Sequence, residues 1–170
     1  KQGRLGKTTT DFAELQHALY LESAMKLNTF ALTRMGSLCE EGALSDELLN
    51  RSTEAMREIR PSEPFDVYGM MSLAQKFWLE AALRGNLLAQ QTLAGDLMYE
   101  ASSTEDANVA ADLRHTAAIL FALAAQQGNG EAYDYLHRVL EVDLEARQVN
   151  SPQGAMESPV FQVMQAALLT

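Results

Sequence analysis

Three pairs of an acidic residue and a histidine are the arrangement in this sequence best suited to chemistry. In each pair the acid precedes the histidine by three residues, so on a helix both side chains share a face and can bind one metal ion. Dimetal helical bundles use pairs of this kind together with further glutamates. The pairs are Glu14 with His17, Asp112 with His115, and Asp134 with His137.

A surface or interhelical role explains these histidines better than metal binding. With 23 acidic residues in 170, an acid falls at any chosen offset about one time in seven. In a stack of helices the first and third pairs would lie far apart, whereas a metal site needs converging ligands. We therefore predict no metal and no cofactor, with a helical metalloenzyme as the less favoured alternative.

Other catalytic signatures are missing from the sequence. It contains no glycine-rich phosphate loop and no Gly-x-Ser-x-Gly elbow, and Cys39 has no evident histidine partner. Cys39 stands between Leu38 and Glu40 in a helical pattern, which indicates a buried or half-buried thiol. We therefore expect a protein that is not an enzyme.

The elements that carry these residues are predicted to be helices in repeated pairs. Three segments align on Asn28, Asn86 and Asn129. In each segment a bulky pair is followed four positions later by small residues, and an alanine comes three positions after the asparagine. The aligned residues are Leu19-Tyr20, Phe77-Trp78 and Leu120-Phe121 for the bulky pair, Ser23-Ala24, Ala81-Ala82 and Ala124-Ala125 for the small pair, Ala31, Ala89 and Ala132 for the alanine, and Met35, Leu93 and Leu136 for an apolar residue four positions beyond it.

Glycine marks the turn between the two helices of a pair. At Gly85-Asn86 and Gly128-Asn129 one helix is predicted to end and the next to begin almost at once, because glycine readily takes a left-handed cap conformation. Such hairpins must stack to bury both faces. The prediction is an all-α fold, an α-solenoid of stacked antiparallel helix pairs in a single repeat domain. The domain covers residues 1–170, with repeat-like units at about 11–42, 66–101 and 105–146, an inserted helix at about 45–60 and a C-terminal helix at about 158–169.

Capping residues predict where four of the helices begin. Serine, threonine and aspartate favour the position before a helix because their side chains accept its free N–H groups. The predicted starts are at Asp11, which forms a capping box with Glu14, and at Ser45, Thr104 and Ser158.

The string FWLEAALRGNLLAQQTLAGDLMYE, residues 77–100, resembles the Sel-like repeat family, a relative of the tetratricopeptide repeat. The shared features are an aromatic pair, an Ala-Ala pair, Gly-Asn, an alanine, and a Leu-Gly-type step near a tyrosine. The sequence also departs from the family. Leu27 replaces the turn glycine of the first copy, His137 stands where the family has a small residue, and residues 45–65 are an insertion.

The resemblance implies a superhelical stack that binds another protein or peptide on its concave face. In the family, the helix with the Leu-Gly step lines that face. The same positions are also compatible with an ordinary solvated surface. Carried over position by position, the predicted partner-binding residues are Thr33, Ser37, Glu40, Gln91, Met98, Asp134, Arg138 and Glu141.

Composition and charge restrict the partner. Hydrophobic residues make up 47% and aromatic residues 7%, with many alanines and leucines, which favours packed helices over sheets. The formal net charge of −10 disfavours nucleic acid and suits a basic or mixed-charge protein. We predict a scaffold or adaptor, with an immunity-type inhibitor of an enzyme or toxin as the alternative.

Membrane insertion is not indicated. The longest apolar run, residues 117–125, is far shorter than the roughly 20 residues that a spanning helix needs. The sequence opens at Lys1 and not at a methionine, so localisation stays open between the cytoplasm and, where a leader has been removed, the periplasm or the exterior.

Overall fold

A computed structural model describes residues 3–59 and 65–169. Within these ranges the chain is all-helical and contains no β-strand, so the predicted all-α class is confirmed. The α-helices are α1 (Gly3–Met25), α2 (Thr29–Glu40), α3 (Asp46–Glu58), α4 (Leu73–Leu83), α5 (Leu87–Ser103), α6 (Ala107–Gln126), α7 (Gly130–Ala146), α8 (Pro152–Met156) and α9 (Pro159–Leu168), and a 3-10 helix (Asp66–Met70) precedes α4.

The helices form two compact units. Unit 1 comprises residues 1–64 and 71–86 and contains α1 to α4. In it α2 packs against α1 and α4, and α3 also contacts these two helices. Unit 2 comprises residues 65–70 and 87–170, and its central helix is α6, which packs against α5, α7, α9 and the 3-10 helix.

Five helices end in the same hydrogen-bonded turn. One residue takes a positive φ, and the N–H of the next residue donates to the carbonyl five positions earlier, at 3.0 to 3.3 Å. This Schellman arrangement satisfies carbonyls that the end of a helix leaves free. The positive-φ residues are Leu27, Gly42, Gly85, Gly128 and Gln148.

Several helix starts agree with the capping residues in the sequence. Ser45 and Ser158 precede α3 and α9 as predicted, and each hydroxyl accepts the N–H three residues on, at 3.4 Å and 3.3 Å. The asparagines of two hairpins act in the same way. Asn28 and Asn129 accept the N–H of the aligned alanine, each at 3.0 Å, so an asparagine that follows one helix starts the next.

Two predicted helix starts are wrong. Helix α1 begins well before Asp11, and Glu14 accepts a hydrogen bond from the Ser45 hydroxyl at 3.0 Å. Helix α6 begins after Asp106 and not after Thr104, because the Asp106 carboxylate accepts two free N–H groups of the first turn, at 2.9 and 3.2 Å. The short helix α8, whose N-cap is Ser151, was not among the predicted helices.

The aligned positions of the three segments are buried alike, with one exception. The alanines and the apolar residues beyond them are at most 1% exposed in all three copies. The bulky pair is buried in the second and third copies, but in the first copy Leu19 is 56% exposed. The residues buried in every copy are Ala31, Ala89, Ala132, Met35, Leu93 and Leu136.

In unit 1, α2 and α4 approach each other closely at one tryptophan. Trp78 is 3% exposed, and its Nε1 donates to the carbonyl oxygen of Thr33 at 3.3 Å. A Cβ atom on Gly36 would overlap the Trp78 ring, so glycine is the residue that permits this approach. Trp78 therefore belongs to the core of unit 1.

None of the helices in the described ranges combines the length and apolar character needed to cross a bilayer.

Leu27→Gly should stabilise the chain by about 0.5–1 kcal/mol. A left-handed residue with a Cβ atom costs about 1–2 kcal/mol, and the greater freedom of glycine in the unfolded chain offsets part of the gain. Urea unfolding followed by circular dichroism measures the difference. Gly128→Ala should have the opposite effect, because an alanine at the φ of 85° strains the backbone. A steric clash does not contribute, since the space around the Cβ position is open. Equal stability of the two variants would contradict this account.

Candidate partner-binding groove

Three of the predicted partner-binding residues lie on α2 in unit 1. Thr33 and Ser37 are half-buried, and their hydroxyls donate to backbone carbonyls one turn earlier in the same helix, at 2.8 Å and 3.3 Å. Glu40 is exposed. The structure therefore gives two of these three side chains a role within their own helix.

Two further predicted residues, Asp134 and Glu141, are exposed on α7. Glu141 faces His137, whose Nδ1 lies 3.4 Å from the Glu141 carboxylate. His137, placed where the family has a small residue, is thus a surface side chain.

The remaining three predicted residues, Gln91, Met98 and Arg138, lie together in unit 2. They line an open groove of about 540 Å³. This brings residues 47 positions apart in the sequence onto one surface. The other lining residues are Thr92, Gly95, Phe121, Glu131, Tyr135 and Val139.

Helical spacing explains how the groove is built. On α5, residues 91, 95 and 98 lie three or four positions apart, and on α7 residues 131, 135 and 138 follow the same spacing. Each set therefore shares one face of its helix. Both helices pack against α6, which contributes Phe121. The groove thus has α5 and α7 as walls and α6 beneath them.

Two stacked aromatic rings form the apolar part of the groove. The centroids of Phe121 and Tyr135 are 5.2 Å apart, with an angle of 19° between the planes. Phe121 is 4% exposed, whereas Tyr135 is 42% exposed. The guanidinium carbon of Arg138 lies 5.9 Å from the Tyr135 centroid, within the range of a cation–π contact. Tyr135 therefore supports both the apolar surface and the orientation of Arg138.

Gly95 leaves open space on the α5 side of the groove. A Cβ atom placed on Gly95 would meet no other atom within 4 Å. The residue lies inside a helix and has no positive φ, so its backbone does not need glycine. Its effect at this position is to leave space in the groove.

A buried carboxylate fixes α7, which carries the Tyr135 wall. Asp143 is fully buried and accepts hydrogen bonds from Arg114 Nε at 3.2 Å, Arg147 Nε at 2.7 Å and Ser158 Oγ at 2.8 Å. Arg114 belongs to α6, and Ser158 is the N-cap of α9. This network joins three helices and satisfies a charge that would otherwise be costly to bury.

A second polar contact holds the opposite wall. Gln127, at the end of α6, donates from Nε2 to Oε1 of Gln90 at 2.7 Å. Gln90 is 1% exposed on α5. Because the acceptor is buried, this hydrogen bond also fixes α5 against α6 beside the groove.

Two titratable groups in unit 1 have an altered pKa. Burial raises the pKa of the Glu80 carboxyl, and the Arg84 guanidinium beside it opposes this shift. Glu80 pairs with Arg84 through one oxygen, while its Oε1 has no hydrogen-bond partner among the described residues. Burial also raises the pKa of the Cys39 thiol to about 11, so this thiol is protonated at neutral pH and a weak nucleophile.

The histidine pairs do not assemble into a metal site. Within the described residues, no group of three or more His, Cys, Asp or Glu side chains is placed to hold a metal ion.

The sequence did not single out most residues of the groove. Tyr135 and Glu131 precede Arg138 by three and seven positions, and Gly95 follows Gln91 by four, so extending the predicted positions along one helix face would have found them. The sequence analysis names Phe121 only as part of the bulky pair of the third segment. No sequence signal indicates that its ring stacks on Tyr135.

No family model, no curated protein and no solved structure matches this chain.

Asp143→Ala should destabilise the chain by about 3–5 kcal/mol, because it leaves the buried Arg114 without its counter-charge. Chemical unfolding monitored by circular dichroism measures the loss. Glu145→Ala, an exposed position on the same helix, is the matched control and should cost less than about 0.5 kcal/mol. If the two variants were equally stable, the network would not hold α7 in place.

Glu80→Gln should change how stability depends on pH. The fold favours the protonated carboxyl of Glu80, since burial raises its pKa. The native state therefore holds this proton at pH values where the unfolded chain has released it, and stability falls as the pH rises above the ordinary range of a glutamate. Glutamine is neutral throughout, so the variant should gain stability relative to the wild type as the pH rises. Urea unfolding across pH 4–8 tests this, with the exposed Glu54→Gln as control. Parallel curves for wild type and Glu80→Gln would rule the effect out.

Proposed function

We propose that this protein is a non-catalytic scaffold of the Sel-like repeat type, which holds a segment of another protein in the groove between α5 and α7. The proposal extends the all-helical fold to a solenoid of stacked hairpins. Unit 2 provides the binding surface, and Gln91, Met98 and Arg138 are the predicted partner-binding residues that take part.

The observation that supports this function is the composition of the groove. Protein interfaces commonly place aromatic residues, methionine and arginine at the centre of the contact and polar groups at the rim. The groove has Tyr135, Met98 and Arg138 beside the rim residues Gln91 and Glu131. It is only partly enclosed, which suits a chain segment better than a fully buried small molecule.

The recurring hairpin geometry supports the repeat interpretation. The turns at Leu27, Gly85 and Gly128 all have a positive φ and share the same pair of backbone hydrogen bonds, and each is followed by an aligned asparagine. Leu27 adopts this conformation although it carries a Cβ atom. The same turn also ends two helices outside these aligned positions, so the support comes from Leu27, where the residue disfavours the turn. Its presence there is expected when each hairpin must present its face to a neighbouring hairpin.

Site-specific photo-crosslinking tests the proposal. A benzophenone side chain introduced at Gln91 should crosslink to a protein in an extract of the native cells. The same group at Asp112, an exposed residue of α6 that does not line the groove, should not. Gel electrophoresis and mass spectrometry identify the crosslinked product.

A blocking substitution controls for the location of binding. Gly95→Phe places a ring in the space beside Gly95 and should suppress the crosslink from Gln91, while Gly95→Ala should preserve most of it. Thermal unfolding shows whether both variants remain folded. Equal crosslinking at Gln91 and Asp112, or none at either, would overturn the proposed function.

A further inference from the structure

The net negative charge of the chain is concentrated in unit 2, because this unit has few basic residues. Residues 65–70 and 87–170 contain twelve of the 23 acidic side chains but three of the 13 basic ones. Unit 2 therefore has a formal charge of −9, whereas the whole chain has −10. The part of the molecule that contains the groove thus carries almost all of the net charge.

The buried network engages two of the few cations of unit 2, although one of them, Arg147, keeps a side chain that is 37% exposed. Of its three arginines, Arg114 and Arg147 both bind Asp143. Arg138 is the remaining one, and its guanidinium lies over the Tyr135 ring. Glu131 stands on the same wall as Arg138. Unit 2 as a whole is therefore negative, while the groove itself is lined by one carboxylate, Glu131, and one cation, Arg138, held against an aromatic ring.

We propose that the groove selects a basic peptide segment with a large apolar or aromatic anchor residue, flanked by lysine or arginine. This inference rests on the proposed function and specifies its partner. The anchor packs on Phe121, Tyr135 and Met98, one basic flank pairs with Glu131, and the net charge of unit 2 favours the approach of the others. Long-range attraction between opposite charges speeds the encounter, and the anchor determines how long the complex lasts.

The same charges argue against other occupants. A second copy of this chain carries a net charge of −10, so self-association on this face is opposed by repulsion. Nucleic acids and acidic peptides meet the same opposition. A neutral peptide could fill the apolar part but would gain nothing from the carboxylates. A basic segment is the occupant that uses both properties of the surface.

Panning a random library of twelve-residue peptides displayed on phage against the immobilised full chain tests the inference. Peptides that bind the wild type and are lost on Gly95→Phe should carry net positive charge and at least one large apolar or aromatic residue. Gln91→Trp provides a second blocking variant if Gly95→Phe does not fold. Fluorescence anisotropy of synthetic copies of the peptides then measures their affinity.

Two substitutions on α7 test whether the preferred peptide is positively or negatively charged. With a basic peptide, Glu131→Gln should weaken binding about two- to fivefold, as expected for one exposed ion pair, and Arg138→Gln should not weaken it by as much. An acidic peptide would reverse the order. Binding should also weaken as NaCl is raised from 50 to 300 mM, because salt screens exposed charges.

Each outcome decides between the two proposals. Basic, apolar-anchored peptides that depend on Gly95 and Glu131 support both. Peptides that depend on Gly95 but are acidic or neutral overturn the charge inference and leave the binding function standing. Peptides that bind wild type and both blocking variants equally, or the absence of any enriched peptide, overturn the proposed function itself.

Discussion

The left-handed residue at the helix ends is the constraint on which the rest of the structure depends. A chain that leaves one helix and starts the next within three residues commonly places one residue at positive φ. The N–H of the following residue then donates a hydrogen bond to the carbonyl five positions earlier. Five helices end in this way. Gly85 and Gly128 adopt the conformation without steric strain, whereas Leu27 adopts it despite its Cβ atom. Packing on both sides of the Leu27 turn therefore outweighs the local preference of the chain.

Within unit 2 the turns alone do not fix the groove, because a hairpin can still slide or tilt along its apolar face. Two polar contacts remove that freedom. Asp143 joins α7 to α6 and to the start of α9, and the Gln127–Gln90 hydrogen bond joins α6 to α5. Buried polar groups demand specific partners, so each contact favours one arrangement of the helices over its close alternatives. The walls of the groove are positioned relative to α6 for this reason.

The features that the sequence predicted are local ones. Gly85-Asn86 and Gly128-Asn129 are adjacent residues with a conformational preference, and Ser45 and Ser158 act on N–H groups three positions away. The start of α6 was missed because Thr104 and Asp106 are both good caps, and the choice between them depends on fine geometry. No sequence pattern indicated that Asp143 is buried and paired, since its partners Arg114 and Ser158 lie 29 and 15 residues away in the chain. Three groove residues are among the positions carried over from the resemblance, which points to one face of α5 and of α7 but not to the side chain of α6 that lies between them.

Stability and surface charge are linked in unit 2 through the same arginines. Burying Asp143 is tolerable because Arg114 and Arg147 compensate its charge and Ser158 completes its hydrogen bonds. That arrangement ties two of the three arginines of the unit to one interior carboxylate, although Arg147 stays 37% exposed. The other acids of the unit are spread over several helices, where solvent screens their mutual repulsion. The unit can therefore present a negative surface around an apolar groove without a charged group being left unpaired inside. The interaction that holds α7 in place thus uses two of the three arginines of the unit, and the negative charge of the surface follows from the scarcity of basic residues.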